Sequence, residues 1–421
     1  MQKPNSKTFC SVPFEEMYTE NDGSFIHCCH AVDVETAKFF ENSVVDHTGQ
    51  PYFAASAADL DRVWNSSFYK QLRRDLIQGR KNPACNHCWR LESQGAASPR
   101  NSRVPDDWNK MINSDYGLST GPRFLDLKTG NTCNLKCIMC HPANSSLHLD
   151  EIHTWRLEEN EVPSAVNISQ REEELINRDF SFDFVVNNLN STLDRVREIQ
   201  LHGGEPLVTK KAVEFIRRLV EVGRASQTKI KIITNLAVTN KKIFHLLNEF
   251  ERVELVVSWD HTDYKKSQFI RYPIDHFKFI ENFEYVRSHF EFDIKISNTL
   301  SVFNVTDIQE IYDDFEELHK NSSLSVTTNL VQAPRYFNAQ CLDRTLKNKI
   351  QKDLKLYLQE NRNYGIFQTG NCFDVLQGLV HFLDRDLPHQ EIVQREMRNA
   401  LKLYDKTRQT DSRTLFPFLY E

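Results

Sequence analysis

The segment "CNLKCIMC" places three cysteines, Cys133, Cys137 and Cys140, within eight residues. Thiolates are soft ligands that bind iron–sulfur clusters, zinc or copper(I). A four-iron cluster held by four cysteines is coordinatively full, whereas three cysteines leave one iron open to a small chelating ligand. The spacing therefore predicts a cluster with a catalytic iron. The alternative is three buried structural cysteines or part of a zinc site.

A second group of cysteines lies in the first hundred residues. Its members are Cys10, Cys28, Cys29, Cys85 and Cys88. Four of these thiols would complete a second metal site. Taken alone, they fit a zinc ribbon as well as an iron–sulfur cluster.

The composition describes an ordinary globular chain. It has 421 residues, 26% of them charged, and a formal net charge of -6, so no basic excess points to a nucleic-acid partner. No apolar run reaches the roughly 18 residues of a membrane span, and the N-terminal segment lacks the apolar core of a signal peptide. We therefore expect a cytoplasmic protein with no membrane partner, in which cysteines stay reduced.

Strands and helices alternate after about residue 123, which predicts an α/β fold with a parallel sheet. Segments such as "REIQLHGGE", "KIKIITN" and "RVELVVSWD" are predicted strands that end in polar residues or glycine. In such folds the reactive centre lies at the carboxyl ends of the strands. The candidate residues at these ends are Gly203, Gly204, Glu205, Asn235, Ser258 and Asp260. Turn and capping chemistry is the alternative for Asn235, Ser258 and Asp260, and also for Arg271 further along the chain.

The cysteine segment, followed downstream by "LHGGEPL", resembles the radical S-adenosylmethionine (radical SAM) enzymes. In that family the amino and carboxylate groups of S-adenosylmethionine chelate the open iron of a [4Fe–4S] cluster. Electron transfer then splits the C–S bond and gives a 5′-deoxyadenosyl radical. The resemblance implies this fold, cluster and cofactor for the chain.

The resemblance also implies roles for individual residues. Gly203 and Gly204 would let the cofactor approach the backbone, and Glu205 would bind its ammonium group. Arg271 in "FIRYP" would pair with its carboxylate. Met139 stands where the family usually has an aromatic residue, and we expect it to pack against the adenine. The polar residues at the next two strand ends would bind the ribose hydroxyls or the carboxylate; they are Asn235, Ser258 and Asp260.

The N-terminal cysteines resemble the twitch or SPASM auxiliary-cluster domain, here placed before the barrel as in the twitch domain-containing group. The resemblance implies an auxiliary [4Fe–4S] cluster, which we assign to Cys10, Cys28, Cys85 and Cys88. Cys28 is preferred to Cys29 because it follows Gly23 by five residues, as in the family pattern, and zinc remains the alternative metal. The run Glu92, Gly95, Ser98 and Arg100 matches the group's pattern, with no role derivable from the sequence beyond closing the domain against the barrel.

These features predict a small iron–sulfur domain, a partial (β/α)6 TIM-like radical SAM barrel and a helical tail. The predicted domains are 1–105 for the twitch/SPASM-like domain, 106–122 for a linker, 123–335 for the barrel with an acidic insertion at 151–180, and 336–421 for the C-terminal helical region. Two leftover cysteines, Cys341 and Cys372, are interpreted as partly buried thiols of that tail.

The implied function is an oxidoreductase that removes hydrogen from a substrate carbon, with the auxiliary cluster accepting an electron. The substrate would be a sugar- or aminocyclitol-like small molecule or a peptide residue, and the sequence does not choose between them. The resemblance also implies an external electron donor such as flavodoxin or ferredoxin. The alternative function is a zinc- or iron–sulfur-stabilised binding or electron-transfer protein that does not cleave S-adenosylmethionine.

Overall fold

The computed structural model describes residues 7–31, 43–54, 59–93, 98, 100, 108–159, 162–163, 166–178, 180–322 and 324–420. Among them, eight strands form a sheet in the order β2-β1-β3-β4-β5-β6-β7-β8. The strands are β1 (Glu16–Thr19), β2 (Phe25–Ile26), β3 (Phe124–Lys128), β4 (Glu198–His202), β5 (Lys229–Thr234), β6 (Arg252–Ser258), β7 (Asp293–Leu300) and β8 (Ser325–Leu330). β2 runs antiparallel to β1, and β1, β3, β4 and β5 pair in parallel, as do β6, β7 and β8.

Helices follow most of these strands. In the first half of the chain they are α1 (Val12–Glu15), α2 (Leu60–Trp64), α3 (Ser67–Ile77), α4 (Asn86–Ser93), α5 (Trp108–Met111), α6 (Ser146–Thr154), α7 (Gln170–Ile176) and α8 (Asp183–Asn188). In the second half they are α9 (Lys210–Glu221), α10 (Lys241–Leu247), α11 (Tyr264–Ile270), α12 (His276–His289), α13 (Ile308–Ser322), α14 (Arg344–Glu360), α15 (Ile366–Thr369), α16 (Cys372–Phe382), α17 (Gln390–Arg408) and α18 (Ser412–Leu415). The predicted α/β class and helical C-terminal region are confirmed.

The chain divides into two compact units. The first comprises Met1–Asn131, Ser169–Ile232 and Lys242–Val253, and the second comprises Thr132–Ile168, Ile233–Lys241 and Glu254–Glu421. These units differ from the predicted domains, whose boundaries stay predictions; the boundary at residue 105 lies outside the described residues.

In the first unit, period-two alternation fixes which side chains face the core. Ile199 and Leu201 of β4 are fully buried, while Gln200 and His202 lie on the opposite face. Gln200 Nε2 donates to Asp126 Oδ2 of β3 at 2.8 Å, and His202 Nε2 lies 2.5 Å from Asp126 Oδ1. The alternation thus gives this sheet one apolar face and one polar, hydrogen-bonded face.

In the second unit, the helical tail follows the helical period. The buried residues of α17 recur three or four positions apart along one stripe, at Val393, Met397, Ala400, Leu401 and Tyr404. Asp343 caps the start of α14 by accepting a hydrogen bond from the Leu346 amide at 3.0 Å. These local signals explain why the tail was predictable as helical.

Two regions differ from the sequence interpretation. The N-terminal region contains β1, which the sequence did not reveal and which pairs with β3 from Glu16↔Phe124 to Thr19↔Leu127. The predicted insertion begins inside α6 and contains α7, which starts with a capping box between Ser169 and Glu172. The insertion residues 160–161, 164–165 and 179 lie outside the described residues.

No helix in the described parts of the chain is both long enough and apolar enough to span a membrane.

Candidate active site

The three-cysteine segment forms a loop in the second unit, and backbone hydrogen bonds hold it to the segment after α11. The Lys136 amide donates to the Tyr272 carbonyl at 2.7 Å, and the Ile138 amide donates to the Ile270 carbonyl at 2.8 Å. Ile138 itself is fully buried. Because these two bonds fix the centre of the loop, its three half-buried thiols are held close together; they are Cys133, Cys137 and Cys140.

The thiols fit a cationic cluster. Burial raises the pKa of Cys140 well above its ordinary value, and the nearby Cys137 and Cys133 raise it further. Burial also raises the pKa of Cys137. Burial thus disfavours three neighbouring thiolates here unless positive charge compensates them, and iron would supply such charge when bound.

Arg271 is the cationic side chain beside these thiols. Burial would lower the pKa of Arg271, but Cys137 and Asp260 raise it above its ordinary value. Its Nη1 donates to Asp260 Oδ2 at 2.6 Å, while its Nε is buried and has no hydrogen-bond partner among the described residues. Asp260 is held in turn by the Thr299 amide at 2.9 Å. The arginine therefore has a fixed orientation and one unsatisfied donor, as an anion-binding group would.

The other candidates of the second unit occupy different positions. Asn235 Nδ2 donates to Asn134 Oδ1 at 2.9 Å and lies 3.8 Å from Cys133 Sγ, so this residue belongs to the cysteine site. Ser258 ends β6 and is half-buried. Met139 is half-buried within the loop. The structure thus brings Asn235, Asp260 and Arg271 together with the cysteines, while Ser258 and Met139 have no described contact to them.

The glycine-rich candidates lie in the first unit, directly after β4. Gly203 and Gly204 have φ angles of +79° and +57°, which favour glycine. A Cβ on Gly203 would lie 2.5 Å from Asn21 Oδ1. Thr129 fixes this turn, since its amide donates to the His202 carbonyl at 2.7 Å and its Oγ1 donates to the Gly203 carbonyl at 2.5 Å. The turn therefore exposes backbone where no side chain could fit.

Glu205 follows these glycines and is buried, with 2% of its surface exposed. Its Oε1 accepts a hydrogen bond from the Leu207 amide at 3.0 Å. The carboxylate is therefore fixed in direction by the backbone of the turn that it follows. A buried, oriented carboxylate suits recognition of an ammonium group.

The N-terminal cysteines line one cavity in the first unit. Cys10, Cys28, Cys85 and Cys88 all contribute to its wall, whereas Cys29 is exposed and does not. Burial and then the neighbouring Cys10 and Cys88 raise the pKa of Cys85 to about 12. Another wall residue, His27, has a buried Nδ1 that meets no hydrogen-bond partner in the described residues. The cavity therefore offers four thiols and an unsatisfied polar atom, which fits an iron–sulfur cluster.

Within the described residues, no three His, Cys, Asp or Glu side chains converge as a single metal ion requires. A four-iron cluster does not need such convergence, because each cysteine binds a different iron.

The run from Glu92 to Arg100 has a structural role that the sequence did not reveal. Glu92 Oε1 accepts from Ser98 Oγ at 2.6 Å and from Arg100 Nε at 2.8 Å. Arg100 Nη1 donates to the carbonyl of Phe9, the residue before Cys10, at 2.6 Å. This part of the run therefore ties the end of the cysteine region to its beginning; Gly95 lies outside the described residues.

Two regions of the chain match models of known protein families. Residues 127–318 match the Radical SAM superfamily model, and residues 10–89 match the SPASM model, an iron–sulfur cluster-binding domain. The chain therefore carries a radical SAM domain preceded by an iron–sulfur cluster-binding domain, and S-adenosylmethionine and [4Fe–4S] clusters are its cofactors.

Solved structures resemble the chain more distantly. SuiB of Streptococcus suis bound to S-adenosylmethionine is 14% identical over 72% of this chain and 56% of its own, with a TM-score of 0.36. SuiB bound to the precursor peptide SuiA is 13% identical over 86% of this chain and 71% of its own, with a TM-score of 0.37. AnSMEcpe with bound AdoMet is 19% identical over 60% of this chain and 64% of its own, with a TM-score of 0.40. The chain thus spans 56% and 64% of the length of the first and third of these structures. No curated protein sequence matches it.

Proposed function

We propose that this enzyme cleaves S-adenosylmethionine reductively and oxidises a carbon of a small polar molecule or a peptide residue. When bound, the two cofactors at the cysteine loop supply a 5′-deoxyadenosyl radical that abstracts a hydrogen atom. The observation that carries the proposal is Arg271, a buried guanidinium beside the thiols with an unpartnered Nε. A carboxylate is the group that such a fixed fork recognises best.

The proposal gives each candidate residue a role. Cys133, Cys137 and Cys140 hold the catalytic cluster. Arg271 binds the methionyl carboxylate, and Glu205 binds the ammonium group. The remaining proposed contacts to the ribose, carboxylate, backbone or adenine are Gly203, Gly204, Asn235, Ser258, Asp260 and Met139.

The N-terminal cavity supports the oxidative part of the proposal. Four cysteines, Cys10, Cys28, Cys85 and Cys88, line it, and a four-thiolate cluster keeps no open coordination site for a ligand. Such a cluster suits acceptance of one electron from the substrate. We propose the domain boundaries given by the sequence, a flavodoxin- or ferredoxin-like external donor, and a reducing cytoplasmic location.

The direct test is anaerobic reconstitution with iron and sulfide, followed by an assay of 5′-deoxyadenosine with S-adenosylmethionine and a strong reductant. We expect about eight irons per chain and formation of 5′-deoxyadenosine. Cys137→Ala should lose about four irons and all 5′-deoxyadenosine, while the N-terminal cluster remains. The matched control is Cys341→Ala, a buried cysteine of the helical tail, which should keep both.

The outcomes separate the alternatives. About four irons with activity would leave the cleavage reaction intact and assign the N-terminal site to zinc. Absence of 5′-deoxyadenosine from the fully loaded wild-type protein would overturn the proposal in favour of a binding or electron-transfer protein.

A further inference from the structure

A buried ionic network in the second unit joins α6 to the C-terminal end of α17. Glu151 is 2% exposed, and its Oε1 and Oε2 accept from Arg408 Nε at 2.9 Å and Nη2 at 2.6 Å. Lys136 Nζ lies 3.0 Å from the same carboxylate. A bidentate arginine pair of this kind is rigid, so the network fixes both cations in place.

The network carries an excess of positive charge. Burial raises the pKa of Glu151, but hydrogen bonds and charge from Arg408 outweigh it, so the pKa lies below its usual value. Burial and Arg408 together lower the pKa of the adjacent His148 to about 3, which leaves that ring neutral at pH 7. Two cations therefore face one anion. Within the part of the chain that the structure describes, Arg408 also keeps a buried Nη1 with no hydrogen-bond partner.

This charge lies beside the cysteine loop. Lys136 directly precedes Cys137, and its ammonium group is 5.4 Å from the ring centroid of Tyr272. The Arg408 guanidinium is 5.2 Å from the same ring. The Tyr272 carbonyl accepts the Lys136 amide at 2.7 Å, which ties the loop to this ring.

We infer that Arg408, held by Glu151, is a positioning residue that raises the reduction potential of the three-cysteine cluster. The inference rests on the proposed function, because it assumes that the cluster occupies this loop. Reduction adds a negative charge, and iron–sulfur potentials respond to the net charge around the cluster. A buried cation held against Tyr272, the residue whose carbonyl binds the cysteine loop, therefore favours the reduced form of the cluster, which would supply the electron for cleavage of S-adenosylmethionine.

The test is a redox titration of the reconstituted full-length protein followed by electron paramagnetic resonance. The signal of interest is the one that changes when S-adenosylmethionine is added. Arg408→Gln should lower its midpoint potential by about 59 mV, a tenfold change for a one-electron couple. Arg408→Lys should stay near wild type. Glu151→Gln should shift the potential upward, because it removes the anion and leaves both cations.

Arg408→Gln and Glu151→Gln break the same ion pair, so a purely structural role in supporting the loop predicts potential shifts of the same sign. Shifts of opposite sign in the midpoint potential therefore indicate an electrostatic effect. The matched control is Lys347→Gln, which removes another buried cation of the tail whose Nζ bonds the Gln340 and Arg385 carbonyls at 3.3 and 3.1 Å. It should leave the potential unchanged. Lys136→Gln provides a second loss of positive charge if Arg408→Gln does not retain iron, and it should also lower the potential.

Two results would overturn the inference while leaving the proposed function intact. One is an unchanged potential in every variant that retains the signal. The other is a shift of the same sign in Glu151→Gln and in the variants that lose a cation. Failure of the proposed function would look different, because the wild-type protein would then show no signal that responds to S-adenosylmethionine.

Discussion

Glu205 offers a direct test of cofactor recognition, because its charge can be removed with little change in shape. Its Oε1 accepts the Leu207 amide at 3.0 Å, and the carbonyl oxygen of a glutamine can accept the same bond. Glu205→Gln should therefore preserve the turn after β4. What it removes is the negative charge that we propose to face the ammonium group of S-adenosylmethionine.

The magnitude follows from the burial of the carboxylate, which is 2% exposed and so little screened by water. Hydrogen bonds to charged groups contribute about 1.5–3 kcal/mol. Since 1.36 kcal/mol corresponds to a factor of ten, we expect affinity to fall by about 10- to 150-fold. The unfolding temperature should change little, because no packing is lost.

The measurement is anaerobic equilibrium dialysis with labelled S-adenosylmethionine on reconstituted protein. The control is Glu214→Gln, which makes the same charge change on the exposed face of α9, where Glu214 pairs with Arg217. It should bind as wild type does. An affinity of Glu205→Gln within twofold of wild type, with iron content unchanged, would refute the assigned role.

Decarboxylated S-adenosylmethionine makes the test specific for one end of the cofactor. It keeps the ammonium group and lacks the carboxylate, so Glu205→Gln should weaken its binding by the same factor. Arg271→Gln should weaken binding of the intact cofactor but not of this analogue. Equal losses for both ligands in Arg271→Gln would contradict the proposed pairing with the carboxylate.

Three further predictions concern the first unit and the stability of the second. Cys28→Ala should lose about four irons and Cys29→Ala none, because only Cys28 lines the cavity; iron counting checks this. Gly203→Ala should lower the unfolding temperature more than Gly223→Ala does. Both substitutions add left-handed backbone strain of about 1–2 kcal/mol, but only the Cβ at position 203 would lie 2.5 Å from a side-chain oxygen, that of Asn21. Burial raises the pKa of Asp307, yet hydrogen bonds from a histidine and a lysine lower it from 3.8 to about 2. This depressed pKa contributes at most about 2 kcal/mol, present above about pH 4 and lost as the pH falls through about 2.

The same three predictions can each fail clearly. Loss of iron in Cys29→Ala alone would reassign the fourth ligand. Equal melting temperatures for the two alanine variants would show that the clash is relieved without cost. The prediction for Asp307 is tested by the difference in unfolding free energy between wild-type and Asp307→Asn apoprotein. This difference should be constant from pH 7 to 5 and should become smaller below about pH 4. A difference that persists at pH 2 would exclude this ionisation as its cause.

Most of the fold, and the residue types that make up the candidate site, could be predicted from local patterns in the sequence. The alternation of strands and helices after residue 123 and the apolar stripe of α17 have short periods, so they were visible without coordinates. β1 was missed because it has only four residues and its partner strand lies over a hundred positions away. Short strands with distant partners have no local signature.

The same reasoning explains what was missed at the site. Glu151 and Arg408 are separated by 257 positions, so nothing in either helix marks them as partners. Cys28 and Cys29 are adjacent, and the spacing from Gly23 favoured Cys28; the fold adds that Cys28 lines the cavity while Cys29 is exposed. Sequence spacing identified the chemistry, while long-range contacts determine which residues surround it.

The parallel pairing of β1 with β3 has a consequence for any attempt to divide this protein. β1 belongs to the cysteine-bearing N-terminal region, yet it covers one edge of β3, the first strand of the predicted barrel. A truncated chain starting near residue 123 would leave that edge with unpaired backbone groups, which promote association with other chains. We therefore expect such a fragment to aggregate, and grafting this N-terminal region onto another barrel would require transplanting a strand as well as a cluster.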